Sequence, residues 1–429
     1  MRTTFRSLLL SSLLGTLGTA QALELYKGAQ GSLDFNLEIT AAPLYSSYDF
    51  GTAQARSVQW LESYVRSGFS GTTPLGGGAA YAGVGIMTSK IVGDGDASAT
   101  SNGHESRTDF DTAFAGWKND WFDLSAGRQD YQMGDGFLID GDQLNYGERL
   151  GNGFNRGGLY YLSGRTSFAR SAILRLHPSD GWLLEGFHLE SGNNGQGTPH
   201  LDGVNSDYAV DEDNSLGLAY FTVNNVDSHV ADGLFALRSG LDVYNLRGKS
   251  DLGVPSLSIE AGYAAERSSQ VDAYAWYAGA SYQFKSAPLA PQLGYRYSRF
   301  SGDAPASDKS EAFDPLFYGS TIGEPTWVQG EIAGTFAGPF NSNAKVSRLS
   351  LNASVSERLA VGAMAYRFDS AREAEHLADE LDLHVETYLS EHLALVPIVG
   401  VWKPRQGATA LYGEKRQQTF VALVTSFSL

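Results

Sequence analysis

The chain has 429 residues, with 50 glycines, 22 tyrosines, 22 phenylalanines and no cysteine; 42% are hydrophobic, 18% charged, and the net charge is −17. A disulfide scaffold, a thiolate metal site and a cysteine nucleophile are excluded, the acidity opposes nucleic-acid binding, and an aromatic content of 12% is too high for a disordered chain. Glycine, tyrosine, phenylalanine, serine and aspartate in place of helix formers point to one large β architecture rather than two or three domains.

The first segment reads as an address. Arg2 and Arg6 precede the apolar run from Leu8 to Leu17, and Ala20-Gln21-Ala22 follows. A basic start, a short apolar core and a small-x-small ending predict a secretory signal spanning 1–22, leaving 23–429 as the mature domain. The run is too short to anchor the chain across about 30 Å of hydrocarbon. Export without cysteine fits a Gram-negative bacterium. After Ala22 no stretch of 18 apolar residues occurs, so a membrane could be crossed only by strands.

Strand-like alternation then runs to the end of the chain. Leu33, Phe35, Leu37 and Ile39 alternate with Asp34, Asn36, Glu38 and Thr40, the period of a sheet with one wet face. The same holds for Leu216-x-Leu218-x-Tyr220, for Leu257 to Tyr263, for the long row Tyr274 to Phe284, and for the segments starting at Leu293, Leu349 and Leu381. Strands are expected near 32–41, 57–69, 76–90, 107–118, 121–130, 157–163, 167–177, 181–190, 215–224, 233–247, 256–266, 271–285, 291–301, 326–336, 344–356, 359–369, 379–389, 392–402 and 418–429. Because single-chain bacterial barrels have even strand numbers, this predicts an all-β, transmembrane antiparallel barrel of about 18 strands with a polar lumen. A soluble β-sandwich would alternate too. The barrel is favoured by a small, charged polar face, by apolar rows ending in Tyr and Trp, and by a last strand that places Phe427 and Leu429 on one face. Ser356-Glu357-Arg358, Ser390-Glu391-His392 and Lys118-Asn119-Asp120 read as tight turns; the stretches Asn193 to Asn214 and Gly302 to Pro325 read as long outer loops.

The arginines are the most informative charges in so acidic a chain. Parity sends Arg175, Arg296, Arg348 and Arg367 inward, and Arg149, Arg156, Arg165 and Arg170 cluster in a segment expected to fold near or into the lumen. They could form a constriction that offers bidentate donors to a carboxylate-bearing solute; equally, they could form a lattice with Asp and Glu that stiffens the wall. Asp382, His384 and Glu386 share one polar face, where a carboxylate could orient an imidazole for hydrolysis, although no serine can be placed beside them. Asp211-Glu212-Asp213-Asn214 could bind Ca²⁺ or be a solvated loop. Gly76-Gly77-Gly78 lacks the lysine and helix of a phosphate loop and reads as a thinned strand.

Several segments resemble the alginate-export family of outer-membrane barrels. They are Leu124-Ser125-Ala126-Gly127-Arg128-Gln129, Tyr131 to Gly136 with the glycine-rich stretch through Gly158, Tyr295 to Asp303, Glu311 to Phe317 and Asp379 to Leu383. The resemblance implies a monomeric 18-stranded barrel that passes an anionic polysaccharide through an arginine-lined pore, with Arg128 and Arg296 in the matching motifs. Arg128 shares parity with Leu124 and Ala126, so it turns inward only at a bulge. Trp60, Tyr64 and Ser67-Gly68-Phe69 resemble instead the opening strand of nutrient-uptake porins, which keeps a channel for small solutes open as the alternative.

The expectation is therefore a passive channel in the bacterial outer membrane, not an enzyme, and needing no cofactor. Its partners would be outer-membrane lipid, an anionic or small polar solute, and the barrel-insertion machinery, which would read the strand ending Phe427, Leu429.

Overall fold

The computed structural model describes residues 22–231, 233–321, 326–337, 341–413 and 415–429. The expected signal segment lies outside the described residues, apart from its last residue, Ala22. The chain forms β1 (Leu23–Gly28), β2 (Gly31–Ser46), β3 (Val58–Leu75), β4 (Gly78–Gly93), β5 (Ser106–Lys118), β6 (Phe122–Gln129), β7 (Phe168–Leu176), β8 (Trp182–Glu190), β9 (His200–Ala209) and β10 (Ser215–Asn224). It continues with β11 (Leu241–Ser250), β12 (Leu257–Arg267), β13 (Asp272–Gln283), β14 (Gln292–Phe300), β15 (Ala344–Ser356), β16 (Leu359–Ser370), β17 (His376–Tyr388), β18 (Leu393–Pro404) and β19 (Gln418–Ser428).

Strands β2 to β19 each pair antiparallel with their chain neighbours, and β19 returns to β2 through Phe420↔Ser46 to Ser428↔Glu38, closing an 18-stranded barrel. Closure leaves no strand edge, which matters where no water can satisfy a bare N–H or C=O. Leu429 extends the seam: its N–H donates to Leu37 O at 2.8 Å. The β1 hairpin pairs with β2 from Leu23↔Phe35 to Gly28↔Gly31, continuing the line on which β19 ends.

The outer face is apolar. Leu33, Val65, Phe69, Val84, Ile86, Phe110, Leu216, Leu218, Leu246, Leu351, Leu383 and Leu423 are all exposed on it. A belt this continuous requires lipid rather than water. Cross-strand aromatic pairs sit along the belt, among them Trp182–Tyr208 and Tyr220–Tyr244, with ring centroids 4.8 and 5.1 Å apart.

The inner face is mainly polar in the half nearest the short turns. Toward the long loops it becomes apolar and buried: Leu44, Trp60, Met87, Phe168, Phe187, Phe221, Val243, Phe300, Tyr366, Phe368 and Phe420 all point inward there. The reason is the loops. The segment between β6 and β7 and the described residues of the segment between β14 and β15 fold into the lumen, and their Phe137, Tyr160, Phe317 and Phe336 need an apolar wall to bury against. The core of this barrel therefore lies inside it, between wall and infolded loops.

Several expected assignments change. Segments 157–163 and 326–336 read as strands, but they belong to the infolded loops; their apolar residues pack on the inner wall instead of facing lipid. The region 200–209 read as a polar loop, yet it forms β9. Its inward Asn205 and Asp207 and outward His200, Asp202 and Ser206 leave neither face apolar, so no period of two is visible. The Gly76-Gly77 pair is the β3–β4 turn itself, with φ of +59° and +80°, the left-handed backbone that two-residue hairpins require. The short turns at Asn119, Glu357 and Glu391 stand as read.

Candidate functional site

The site is the water-accessible inner face below the infolded loops, and its charges come in pairs. Arg66 on β3 holds Glu38 of β2 and lies 2.7 Å from Asp111 of β5. Arg175 on β7 lies 2.9 Å from Glu185 of β8, and Arg247 on β11 pairs with Asp207 of β9. Arg296 on β14 lies 2.9 Å from Glu260 of β12 and stacks on Tyr277, 3.8 Å from the ring centroid. Each pair bridges neighbouring or next-neighbouring strands because inward side chains stand side by side on one face of the sheet. Burial is only partial: the side chains of Arg175 and Glu260 are 31% and 41% exposed. Water reaches these pairs, so a passing ion or carboxylate can exchange for one partner.

The arginines singled out from the sequence divide by position. Arg175, Arg296 and Arg348 face inward; Arg348 is buried on β15 opposite Arg296 and Tyr366. Arg156 and Arg165 lie in the β6–β7 loop. Arg156 is 2.7 Å from the buried Asp142. Arg165 donates to Met87 O and Arg156 O, both at 3.1 Å, and burial pulls its guanidinium down to about 10, still charged at neutral pH. Arg149 is exposed in the same loop, where its backbone N–H donates to Thr100 O.

Two arginines expected in the lumen lie outside it: Arg367 against its parity, and Arg128 in agreement with its parity but against the pore-lining role that the resemblance implied. Arg367 faces outward, because the inner face of β16 is taken by Tyr366 and Phe368, which bury against the infolded loop; Arg367 pairs with Asp369 at 2.9 Å. Arg128 is paired with Ala113, an exposed residue of β5. The bulge beside it falls between Gly127 and Gln129 and leaves both of those inward and Arg128 on the outer side. Alternation puts Glu38 and Glu260 on the polar face without pointing to their partners; Arg66, Arg247 and Glu185 are the functional residues that the sequence reading misses, although parity alone places Arg66 beside Glu62 and Tyr64, and Arg247 between the outward Leu246 and Gly248.

Above the pairs, the loops are locked to the wall through buried carboxylates. Glu62 on β3 accepts the backbone N–H groups of Tyr161 and Leu162 at 3.1 and 2.9 Å. Glu380 on β17 accepts from Ile332 and Ala333, and Asp382 accepts from Glu331 N at 3.0 Å. The two loops also bind each other: Asp140 N donates to Phe317 O at 2.8 Å, and Tyr161 Oη donates to Glu331 at 2.7 Å. Burial pushes Asp140 up to about 6. The Asp382, His384, Glu386 row is thus committed elsewhere: Asp382 takes a loop N–H rather than orienting the imidazole, and His384 Nε2 is 3.7 Å from Glu386. Asp211 likewise caps its own turn through the N–H groups of Asp213 and Asn214.

A cavity of about 350 Å³ remains between the loops, lined by Tyr146, Tyr160, Phe235, Phe317, Tyr318 and Trp327 among others. Deeper in the lumen, Gly134 of the β6–β7 loop touches Arg247. A Cβ there would lie 1.9 Å from Arg247 Nε, and its φ is +57°. Arg247 is held by Asn205 and Asn245 at 2.8 Å each, so it cannot simply swing away. Gly134→Ala is expected to cost roughly 1–3 kcal/mol, from the left-handed backbone plus a displaced buried arginine. Thermal unfolding in detergent should show the loss, while Gly253→Ala, at a positive-φ turn with open space, should show only the smaller backbone part.

No protein-family model matches the chain, and no curated protein matches it. Solved structures do match, over nearly its whole length. Pseudomonas aeruginosa OpdQ has a TM-score of 0.60 at 12% identity, covering 92% of this chain and 99% of that one. Acinetobacter baumannii OccAB2 gives 0.61 at 12% identity, covering 92% and 98%. A BenF-like porin from Pseudomonas fluorescens Pf-5 gives 0.62 at 10% identity, covering 92% and 98%. At these identities the likeness is one of fold. It overturns the resemblance to alginate-export barrels, since the barrels matched are of the Opd, Occ and porin kind. The segments that suggested alginate export carry strand alternation and loop glycines, which unrelated barrels share.

Proposed function

We propose that this chain is an outer-membrane channel for small polar solutes, a porin in the broad sense, in which two infolded loops narrow the passage and paired charges line it. The reading is carried by one observation: an 18-stranded barrel whose inner wall bears partly exposed Arg–carboxylate pairs beneath loops latched to that wall. Barrels of about 16–18 strands are wide enough to hold water, so the loops rather than the wall set the passage. The fold likeness to a BenF-like porin supports the same class. The pairing favours solutes that present both charge and hydrogen-bonding groups, since the guanidinium groups of Arg66, Arg175, Arg247 and Arg296 each already have a carboxylate beside them. Small-solute passage replaces the polysaccharide, and no catalytic step is required of it.

Planar-bilayer recording tests this. The purified protein should give discrete single channels. Under a salt gradient, Arg175→Gln should move the reversal potential toward cation selectivity and Glu260→Gln should move it toward anions, each by several millivolts and in opposite directions. A protein that inserts but conducts nothing, or two variants that shift the potential alike, would refute the reading.

A further inference from the structure

On the outward face of the barrel, away from the lumen, three side chains of metal-ligating type converge. His188 and Glu190 alternate on the same face of β8 as the exposed Trp182; His200 and Asp202 lie on the face of β9 that carries the exposed Val204 and Tyr208. The register sets Glu190 directly opposite His200 and His188 directly opposite Asp202. This is the end of both strands that leads to the long loops, just beyond the Tyr220–Tyr244 aromatic pair, where the apolar belt gives way to a polar rim. One ligand atom from each of His188, Glu190 and His200 lies within 4.8 Å of the other two.

The local hydrogen bonds orient these groups. His188 Nδ1 is 2.7 Å from Asp202 Oδ1, which leaves Nε2 as the presented atom, 3.3 Å from Glu190 Oε1. Ligands bonded at roughly 2.0–2.2 Å around a tetrahedral ion stand about 3.3–3.6 Å apart, so this pair already has the spacing of one tetrahedral edge. The Asn225 side-chain nitrogen lies 3.0 Å from His200 Nδ1 and donates to it, so His200 Nε2 becomes a ligand once that amide turns its oxygen toward Nδ1–H. The His188–Asp202 contact is the carboxylate–imidazole arrangement that fixes tautomer and ring orientation behind a metal ligand. Arg170 lies 3.0 Å from Glu190 Oε2, holding that carboxylate so that Oε1 is the free oxygen; its side chain is 80% exposed, so its charge is well screened.

We propose that His188, Glu190 and His200 form a surface site for a borderline divalent transition ion, Zn²⁺ foremost, with water completing the coordination and Asp202 positioning His188. Two imidazoles and one carboxylate suit Zn²⁺ or Cu²⁺, whereas Ca²⁺ and Mg²⁺ require mostly oxygen ligands. The site lies outside the passage and stands independently of the channel reading.

The test is calorimetric titration of ZnCl₂ into the untagged, chelator-stripped barrel in detergent, with the folded state verified by heat-modifiable gel mobility. One Zn²⁺ per chain is expected with micromolar or tighter affinity. His188→Ala combined with His200→Ala should abolish that step, and any signal left measures the remaining histidines. Asp202→Asn should weaken binding about 10-fold or more, as loss of an orienting carboxylate does, an effect that loose surface adsorption would not show. Millimolar Mg²⁺ or Ca²⁺ should not displace the ion. Equal Zn²⁺ binding by the wild type and the double histidine variant, or no step at all, would overturn the site; displacement by Mg²⁺ would overturn its ion class.

Discussion

Replacing Arg238 by leucine is expected to release the outer loops while the barrel stays folded. Arg238 is fully buried. Its guanidinium makes two bonds of 2.7 Å to Asp314, two of 2.9 Å to Gln196 O and Oε1, and one of 3.2 Å to Leu316 O. It also lies over Phe235, 4.1 Å from the ring centroid. One side chain thus ties together the β8–β9, β10–β11 and β14–β15 loops. Without it, Asp314 is a buried carboxylate beside a second one, Glu266, whose Oε2 accepts the Asp314 N–H at 2.9 Å. Removing one member of such a pair costs about 3–5 kcal/mol, which raises the unlatched population by roughly two to four orders of magnitude. Single-channel records should show larger and noisier conductance, and proteases should cut near residues 301–321 in the folded barrel. The strand ladder does not involve Arg238, so heat-modifiable mobility should be kept. Arg238→Leu combined with Asp314→Leu should recover part of the quiet state, because the carboxylate that Arg238 paired is gone as well. Unchanged conductance and protease resistance in the single variant would show that the latch lies elsewhere.

The barrel was legible in the sequence because lipid enforces the pattern. Most strands turn an apolar side chain outward at every second position within the belt, as Leu349 and Leu351 do on β15, and the tight turns follow from the same spacing. The inner face was legible only in part. Where wall residues meet water, as Arg175 and Arg296 do, parity places them correctly. Where they meet an infolded loop, both faces of the strand are apolar and parity loses its sign; hence Arg367 was read inward when Tyr366 and Phe368 occupy that side. The same loops made 157–163 and 326–336 look like strands, since Tyr160, Tyr161, Trp327 and Phe336 bury as strand residues would. Arg238 carries no local signal at all. Its partners Gln196 and Asp314 come from two distant connections, and only the closed barrel brings them within reach.

The pH dependence of the latch follows from Glu331. This carboxyl lies in the β14–β15 loop, fully buried, where Tyr161 Oη and Trp327 N donate to it at 2.7 and 3.0 Å. Burial pushes it from the ordinary 4.5 up to about 7, outweighing the two hydrogen bonds, which pull the other way. The wall faces it with Glu380 and Asp382, which accept the N–H groups of residues 331 to 333, and with His384 on the same face of β17. A raised carboxyl means that the latched loop binds more protons than the released one between pH 4.5 and about 7. The latch therefore tightens as pH falls from about 7 to 4.5, loosens as it rises through that window, and changes little beyond it. The full swing is on the order of 3 kcal/mol. In bilayer recordings the rate of loop-opening events should rise at least 10-fold from pH 5 to pH 8. Glu331→Gln cannot titrate and imitates the protonated form, so its opening rate should stay near the low-pH value throughout. If that variant keeps the wild-type pH slope, the proton acts elsewhere, and if opening becomes more frequent on acidification, the sign assigned to Glu331 is wrong.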